Sequence, residues 1–189
     1  MLKKFNEIKK LEKDCEKTAF LPRDNEGNTI INISVKDDSN FLSPYSCAGK
    51  PVISTDTAEF LKHEISTLKQ NEKVHFVIES EVIDQNEQHL YPQAVKNYYT
   101  TKVKTGKTEL KRNALASLIM LILGIMVFTT IIILNSYNAQ TILLNVLDVV
   151  AWVFIWEAVD LFVFKRTALK KEHIINLKLL TAKFTFKNQ

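Results

Sequence analysis

Glycine and proline are scarce in this chain, at four each among 189 residues, and cysteine occurs twice. So few glycines leave little material for phosphate-cradling loops, and no P-loop, G-x-G-x-x-G, nucleophile elbow or Cys-x-x-Cys is found. The two thiols, Cys15 and Cys47, suit a reduced compartment better than a disulfide framework. Arginine is confined to Arg23, Arg112 and Arg166, so the net charge of +4 rests on lysine. That argues against a reader of nucleic acid, which favours arginine for bidentate base contacts. The first twenty residues contain no apolar core segment, so a secretory signal is not expected there. Heavy use of Lys, Ile and Asn suggests an AT-rich, bacterial coding genome.

Charge is also missing locally. From Asn113 to Leu147 there is no Asp, Glu, Lys or Arg, whereas residues 1–112 are charge-dense. The mean hydropathy of −0.05 therefore averages two different solvents. Ala114–Leu134, "ALASLIMLILGIMVFTTIIIL", has about 21 residues, which at 1.5 Å each cover roughly 30 Å, the thickness of a bilayer's hydrocarbon core. A second run, Thr141–Phe164, is also long enough to span, although it carries Asp148, Glu157 and Asp160. Each acid near mid-bilayer costs about 2.5–3.5 kcal/mol on insertion scales. The run is predicted to span because its apolar residues outweigh that cost and Asp160 lies near its end.

The flanks set an orientation. Lys102, Lys104, Lys107, Lys111 and Arg112 precede the first run, and Lys165, Arg166, Lys170 and Lys171 follow the second. The connecting "NSYNAQ" is uncharged. Positive flanks stay inside, so the expectation is a multi-pass inner-membrane protein with both termini cytoplasmic.

The polar part reads as α+β. Leu2–Lys17 has the spacing of a surface helix. "NEGNT" predicts a turn, Thr29–Val35 a strand, and "KPVIS" a further short strand. Asp56 with Glu59 resembles a capping box, followed by a helix burying Ala58, Leu61, Ile65 and Leu68. Lys73–Glu79, "KVHFVIE", predicts a buried strand. Pro92 is expected to open a helix that runs unbroken to Leu134, since Val95, Tyr99, Val103, Gly106, Leu110, Asn113 and Ser117 form one stripe. The second run continues into "KRTALKKEHIINLKLL". The terminal "TAKFTFK" alternates as a half-buried strand, expected to return to the N-terminal sheet. The resulting expectation is a cytosolic α+β domain over 1–110, an all-α transmembrane hairpin over 111–164 with spans 114–134 and 141–164, and a cytosolic helix and strand over 165–189.

"FLSPYS…KPVIS…AEFL" (Phe41–Leu61) together with "WEAVDLF" (Trp156–Phe162) resembles a group of uncharacterised bacterial two-span membrane proteins. The resemblance covers most of the chain and implies architecture only; no residue role is carried over from it.

No catalytic constellation, metal-ligand spacing or cofactor motif emerges, so an enzyme is not expected. None of His63, His75, His89 and His173 stands three or four residues from another His or Cys. His75, Glu79 and Glu81 would share one face of a regular strand, more in keeping with a solvated surface than an acid/base cluster. The strongest functional signal lies in the second run. At about 100° per residue, Asn145, Asp148, Trp152, Trp156 and Asp160 occupy an arc of about 120°, with Glu157 some 60° beyond. Such a stripe should face protein or water. On the first run, Asn113, Ser117, Met120 and Gly124 form a face suited to close helix contact.

Three readings compete. The stripe glues the hairpin, with Glu157 and Asp160 pairing with Lys111, Arg112, Lys165 or Arg166. Or it lines a cation path in an oligomer. Or it binds a partner membrane protein or a lipid head group. Asp148 is the discriminating residue: about 10–12 Å deep, it lies beyond reach of the basic flanks, and the first run offers it only Thr129 or Thr130.

Overall fold

The computed structural model describes residues 21–47, 49–69, 72–137 and 140–187. The expected N-terminal helix and Cys15 lie outside the described residues. The elements are β1 (Thr29–Ser34), α1 (Thr55–Ser66), β2 (Val74–Glu79), α2 (Gln85–Ser136), α3 (Thr141–Val159), a π-helical segment (Asp160–Lys165), α4 (Arg166–Leu180) and β3 (Lys183–Lys187). Two compact units divide the chain, one holding the described residues up to Tyr98 and from Lys178 onward, the other Tyr99–Leu177.

In the first unit the β-branched and aromatic runs form a three-stranded sheet of order β1-β2-β3, parallel throughout. Parallel neighbours cannot be joined by a tight turn and need crossovers. One crossover contains α1 and the other contains α2 to α4. The small sheet therefore has α/β connectivity within a mostly helical chain, a distinction that the α+β label does not capture. The register places Ile31 beside Phe76 and Phe76 beside Phe184, with Ile33, Ile78 and Phe186 forming the next row. That face is apolar, and the Phe76 and Phe184 rings stack at 5.3 Å. The opposite face carries Asn32, His75, Glu79, Lys183, Thr185 and Lys187 around a buried Val77.

Helix α1 buries Ala58, Leu61 and Ile65, while Leu68 lies past its end and is half-buried. Fully burying each large aliphatic side chain contributes about 1.5–3 kcal/mol. The cap differs from the expected Asp56–Glu59 box. Ser54 is the N-cap, its Oγ accepting from the Thr57 N–H at 3.2 Å. "KPVIS" is not a strand of the sheet. Ile53 makes an isolated antiparallel bridge with Leu42, supported by Ser43 N–H to Val52 O and Ser54 N–H to Phe41 O.

Helix α2 begins seven residues before Pro92. The signal was a capping box about two turns upstream: the Glu87 N–H donates to Asp84 Oδ1 at 2.8 Å, and the Asp84 N–H donates to Glu87 Oε2 at 2.9 Å. Pro92 lies inside this helix, where it lacks the N–H for a bond to the carbonyl four residues back and its ring crowds that carbonyl. Tyr91, Ala94 and Val95 are buried. Tyr91 stacks on Phe41 at 4.0 Å and donates from Oη to Asp38 at 2.8 Å. Burial, aided by Asp38, pushes its phenol above the ordinary tyrosine range.

Two helical stretches, Gln85–Ser136 and Thr141–Leu180, are long and apolar enough to cross a membrane. Their most apolar windows reach mean hydropathies of 2.8 and 2.0, and only 11 % of each window is buried, so these side chains face outward instead of filling a core. Membrane-spanning helices have this surface, because lipid takes the place of a protein core.

Candidate functional site

The hairpin is assembled from small and polar residues on α2. Asn113, Ser117 and Gly124 are buried, with Met120, Val127 and Ile131 half-buried along the same side. The facing seam on α3 and the π segment is Leu144, Leu147, Ala151, Phe154, Ala158 and Leu161, all buried or half-buried. These positions alternate in steps of three and four, the seven-residue pattern of a left-handed helix pair. Ala151 and Ala158 remove bulk where the backbones approach, and Gly124 does the same from α2. A Cβ on Gly124 would stand 2.8 Å from Ile155 Cγ1, so only glycine fits there without a shift.

Two α2 side chains are hydrogen-bonded to backbone carbonyls of the other arm. Asn113 Nδ2 donates to Leu161 O at 2.7 Å, and Ser117 Oγ donates to Ala158 O at 2.9 Å. Leu161 lies within the π segment, where its carbonyl also accepts from the Arg166 N–H, five residues on. A π turn of this kind places one extra residue in an α-helix. Beyond it the seam continues through half-buried Leu169 and His173 and buried Asn176. Leu161 to Leu169 is one residue longer than the seven-residue repeat, and the π segment absorbs the difference. At His173 the helices again approach over a glycine: a Cβ on Gly106 would lie 3.0 Å from His173 Nδ1, a buried nitrogen without a hydrogen-bond partner.

The acidic and aromatic stripe does not enter this seam. Asn145, Asp148, Trp152, Trp156, Glu157 and Asp160 are all exposed, Trp152 at 59 % and Trp156 at 68 %. Helical geometry puts the centre of the stripe roughly 150° round α3 from the seam. The glue reading therefore fails within one hairpin: alanine and leucine, not the acids, meet α2. The reason is steric, since Ala151 and Ala158 allow a close approach that Trp152 and Trp156 would prevent. Lys111, Arg112, Lys165 and Arg166 are exposed as well, and among the described residues no ion pair joins them to Glu157 or Asp160. Arg166 instead lies over the Phe162 ring at 5.1 Å.

In the first unit, the turn at Gly27 (φ +81°) folds Asp24 against the polar sheet face. Asp24 accepts from Asn28 Nδ2 at 2.7 Å, from the Asn28 N–H at 2.8 Å and from the Glu26 N–H at 2.9 Å. His75 bridges Asp24 Oδ2 at 3.0 Å through Nδ1 and Thr185 Oγ1 at 2.7 Å through Nε2. The Asn28 amide, with help from the Asn28, His75 and Glu26 donors, holds the Asp24 carboxyl well below the usual carboxylate range. Lys183 pairs with Glu26 alongside. This network ties β3, β2 and the Asp24–Asn28 turn together. The less favoured cluster of His75, Glu79 and Glu81 does not form, because β2 ends at Glu79 and Glu81 lies in the bend beyond. A cleft of about 320 Å³ opens at the carboxyl end of β1, lined by Ile33, Phe41, Phe60 and Phe184 with Lys36, Asp37 and Asp56 among its polar residues. Among the described residues no group of three His, Cys, Asp or Glu gathers as a metal site.

Sequence reasoning missed the π segment and the Asp24–His75–Thr185 relay. The first shows as a one-residue slip in the seam repeat only once the buried positions are known. The second joins residues far apart in the chain and left no local signal. No family model, no curated protein and no solved structure matches this chain.

Proposed function

We propose that this chain is an integral protein of a bacterial inner membrane, with both termini cytoplasmic, serving as a non-enzymatic scaffold or signalling module that assembles through the outward face of α3. The observation that carries this reading is the exposure of Asp148, Trp152, Trp156, Glu157 and Asp160 on a helix apolar enough to span. Within a bilayer each mid-depth acid left against lipid would cost about 2.5–3.5 kcal/mol. Contact with a second copy or another membrane protein removes that cost, and exposed Trp152 and Trp156 supply the contact area. The lysine-rich flanks support the orientation, and the shortage of arginine speaks against a nucleic-acid partner.

The test is the assembly state of the full-length chain in native membranes and in nanodiscs, measured by crosslinking and single-molecule photobleaching. Complexes larger than one chain are expected, with at least tenfold weaker association for Trp152→Ala/Trp156→Ala. A monomer in native membranes, with no copurifying membrane protein, rejects the proposal.

A subunit of a small cation channel is the second reading, favoured by Asp148, since no Lys or Arg lies between Arg112 and Lys165. Cation flux into liposomes that disappears in Asp148→Asn supports it, and equal flux in both proteins removes it.

A further inference from the structure

We propose that the π segment Asp160–Lys165 is a register switch that sets which face of α4 meets α2. The starting point is the seam. Up to Leu161 the buried positions keep a seven-residue repeat, and after the segment they resume one residue late at Leu169, His173 and Asn176. One residue corresponds to a rotation of about 100°. In the observed register, the extra residue is held in the π turn and His173 faces Gly106. If the segment relaxes to regular α-helix, the repeat runs on from Leu161 without the slip. Ala168, Glu172 and Ile175 then turn toward α2 in place of Leu169, His173 and Asn176.

The two registers differ in chemistry, so the choice has consequences. One presents an imidazole and a carboxamide to α2; the other presents a carboxylate and two apolar groups. The observed register has a specific restraint. Asn113 donates its side-chain N–H to the Leu161 carbonyl, the same oxygen that accepts the five-residue π bond from Arg166. A carbonyl oxygen accepts in two directions, and at Leu161 the Asn113 side chain and the Arg166 N–H occupy both. Ser117 holds Ala158 O one turn earlier and fixes the start of the segment. Asn113 is thus the latch, and Gly106 is the contact point that reads the register. The observed register also leaves His173 Nδ1 buried and unpaired, a defect that lowers the barrier to leaving it. The switch operates within one chain and does not depend on the assembly reading.

The geometry supplies its own reporter. A Cβ on Gly106 would lie 3.9 Å from His173 Cβ, within the range a disulfide requires. In full-length protein carrying Cys15→Ser and Cys47→Ser, reconstituted in liposomes, G106C/H173C should crosslink on mild oxidation in preference to G106C/E172C. Adding Asn113→Leu should move the yield toward G106C/E172C by roughly three- to tenfold, the scale of one lost interhelical hydrogen bond. Ser117→Ala should move it less, in the same direction. The deciding control is deletion of Val163, which removes the surplus residue. The deletion should keep the residue-173 crosslink and abolish the response to Asn113→Leu. Preference for G106C/E172C in the unmutated segment overturns the assignment. So does an unchanged ratio in both Asn113→Leu and Ser117→Ala, or a response that persists after the deletion.

Discussion

Asp24 accepts from Glu26, Asn28 and His75, and its position predicts how the protein responds to acid. Asn28, His75 and the Glu26 N–H all stabilise its ionised form, so its folded-state pKa lies below the unfolded value of about 3.9. A depressed carboxylate contributes stability that is fully present above the unfolded pKa and is lost as pH falls through the folded one. Unfolding midpoints of the full chain should therefore hold steady above about pH 5 and fall steeply below pH 4. Asp24→Asn should lower the midpoint at neutral pH and flatten the acid limb, as read by denaturant titration at a series of pH values. An unaltered acid limb would show that other carboxylates dominate. At this scale the sequence was only partly readable. The NEGN turn is written in its residues, because Gly27 sits at positive φ where a side chain is strained. His75 and Thr185 meet only because β2 and β3 are neighbours, and no local pattern encodes that.

Among the elements, the helix seam and the terminal strand make the clearest predictions. Gly124→Leu would force a side chain into the space held by Ile155. Overpacking of this kind costs on the order of 1–3 kcal/mol. The hairpin should loosen, seen as faster proteolysis of the connecting turn and a lower thermal midpoint in detergent, whereas Gly124→Ala should do so more mildly. Removal of the chain from Ala182 onward strips Phe184 and Phe186 from the apolar sheet face beside Phe76 and Ile78. Two half-buried phenylalanines contribute about 2–4 kcal/mol together. Limited proteolysis of the first unit should accelerate, and unchanged resistance would show that the sheet stands without β3. Strand and helix identities were legible wherever periodicity was strong: Thr29–Ser34, Val74–Glu79, Ala58–Ile65 and the alternating end of the chain. The start of α2 was misplaced because Pro92 is a loud signal and the Asp84–Glu87 box a quiet one. The π segment interrupts nothing in composition; it is visible only once the buried seam is known on both sides of it.

For the molecule as a whole, the decisive sequence feature is the uncharged stretch from Asn113 to Leu147 between basic flanks. If the helices span a bilayer with both ends inside, single cysteines near Tyr137 should react with a membrane-impermeant maleimide added outside intact cells. Cysteines at Lys107 or Lys170 should react only after permeabilisation. Labelling of the latter in intact cells would reverse the topology. The clustering of Asn145, Asp148, Trp152, Trp156 and Asp160 was likewise readable, since angular position on a helix depends only on spacing. Which side of α3 meets α2 was not. Two candidate faces existed, one polar and aromatic, one built on alanine, and spacing cannot weigh how closely each lets a backbone approach. The seven-residue row through Ala151 and Ala158 prevailed because dispersion and backbone-directed hydrogen bonds require short interaxial distances. Sequence alone thus determined which two stretches of this chain are long and apolar enough to cross a membrane, because hydropathy adds up locally. Only the tertiary structure decided which helix faces touch, which strands are neighbours and where the π turn falls, because those depend on shape and on groups distant in sequence.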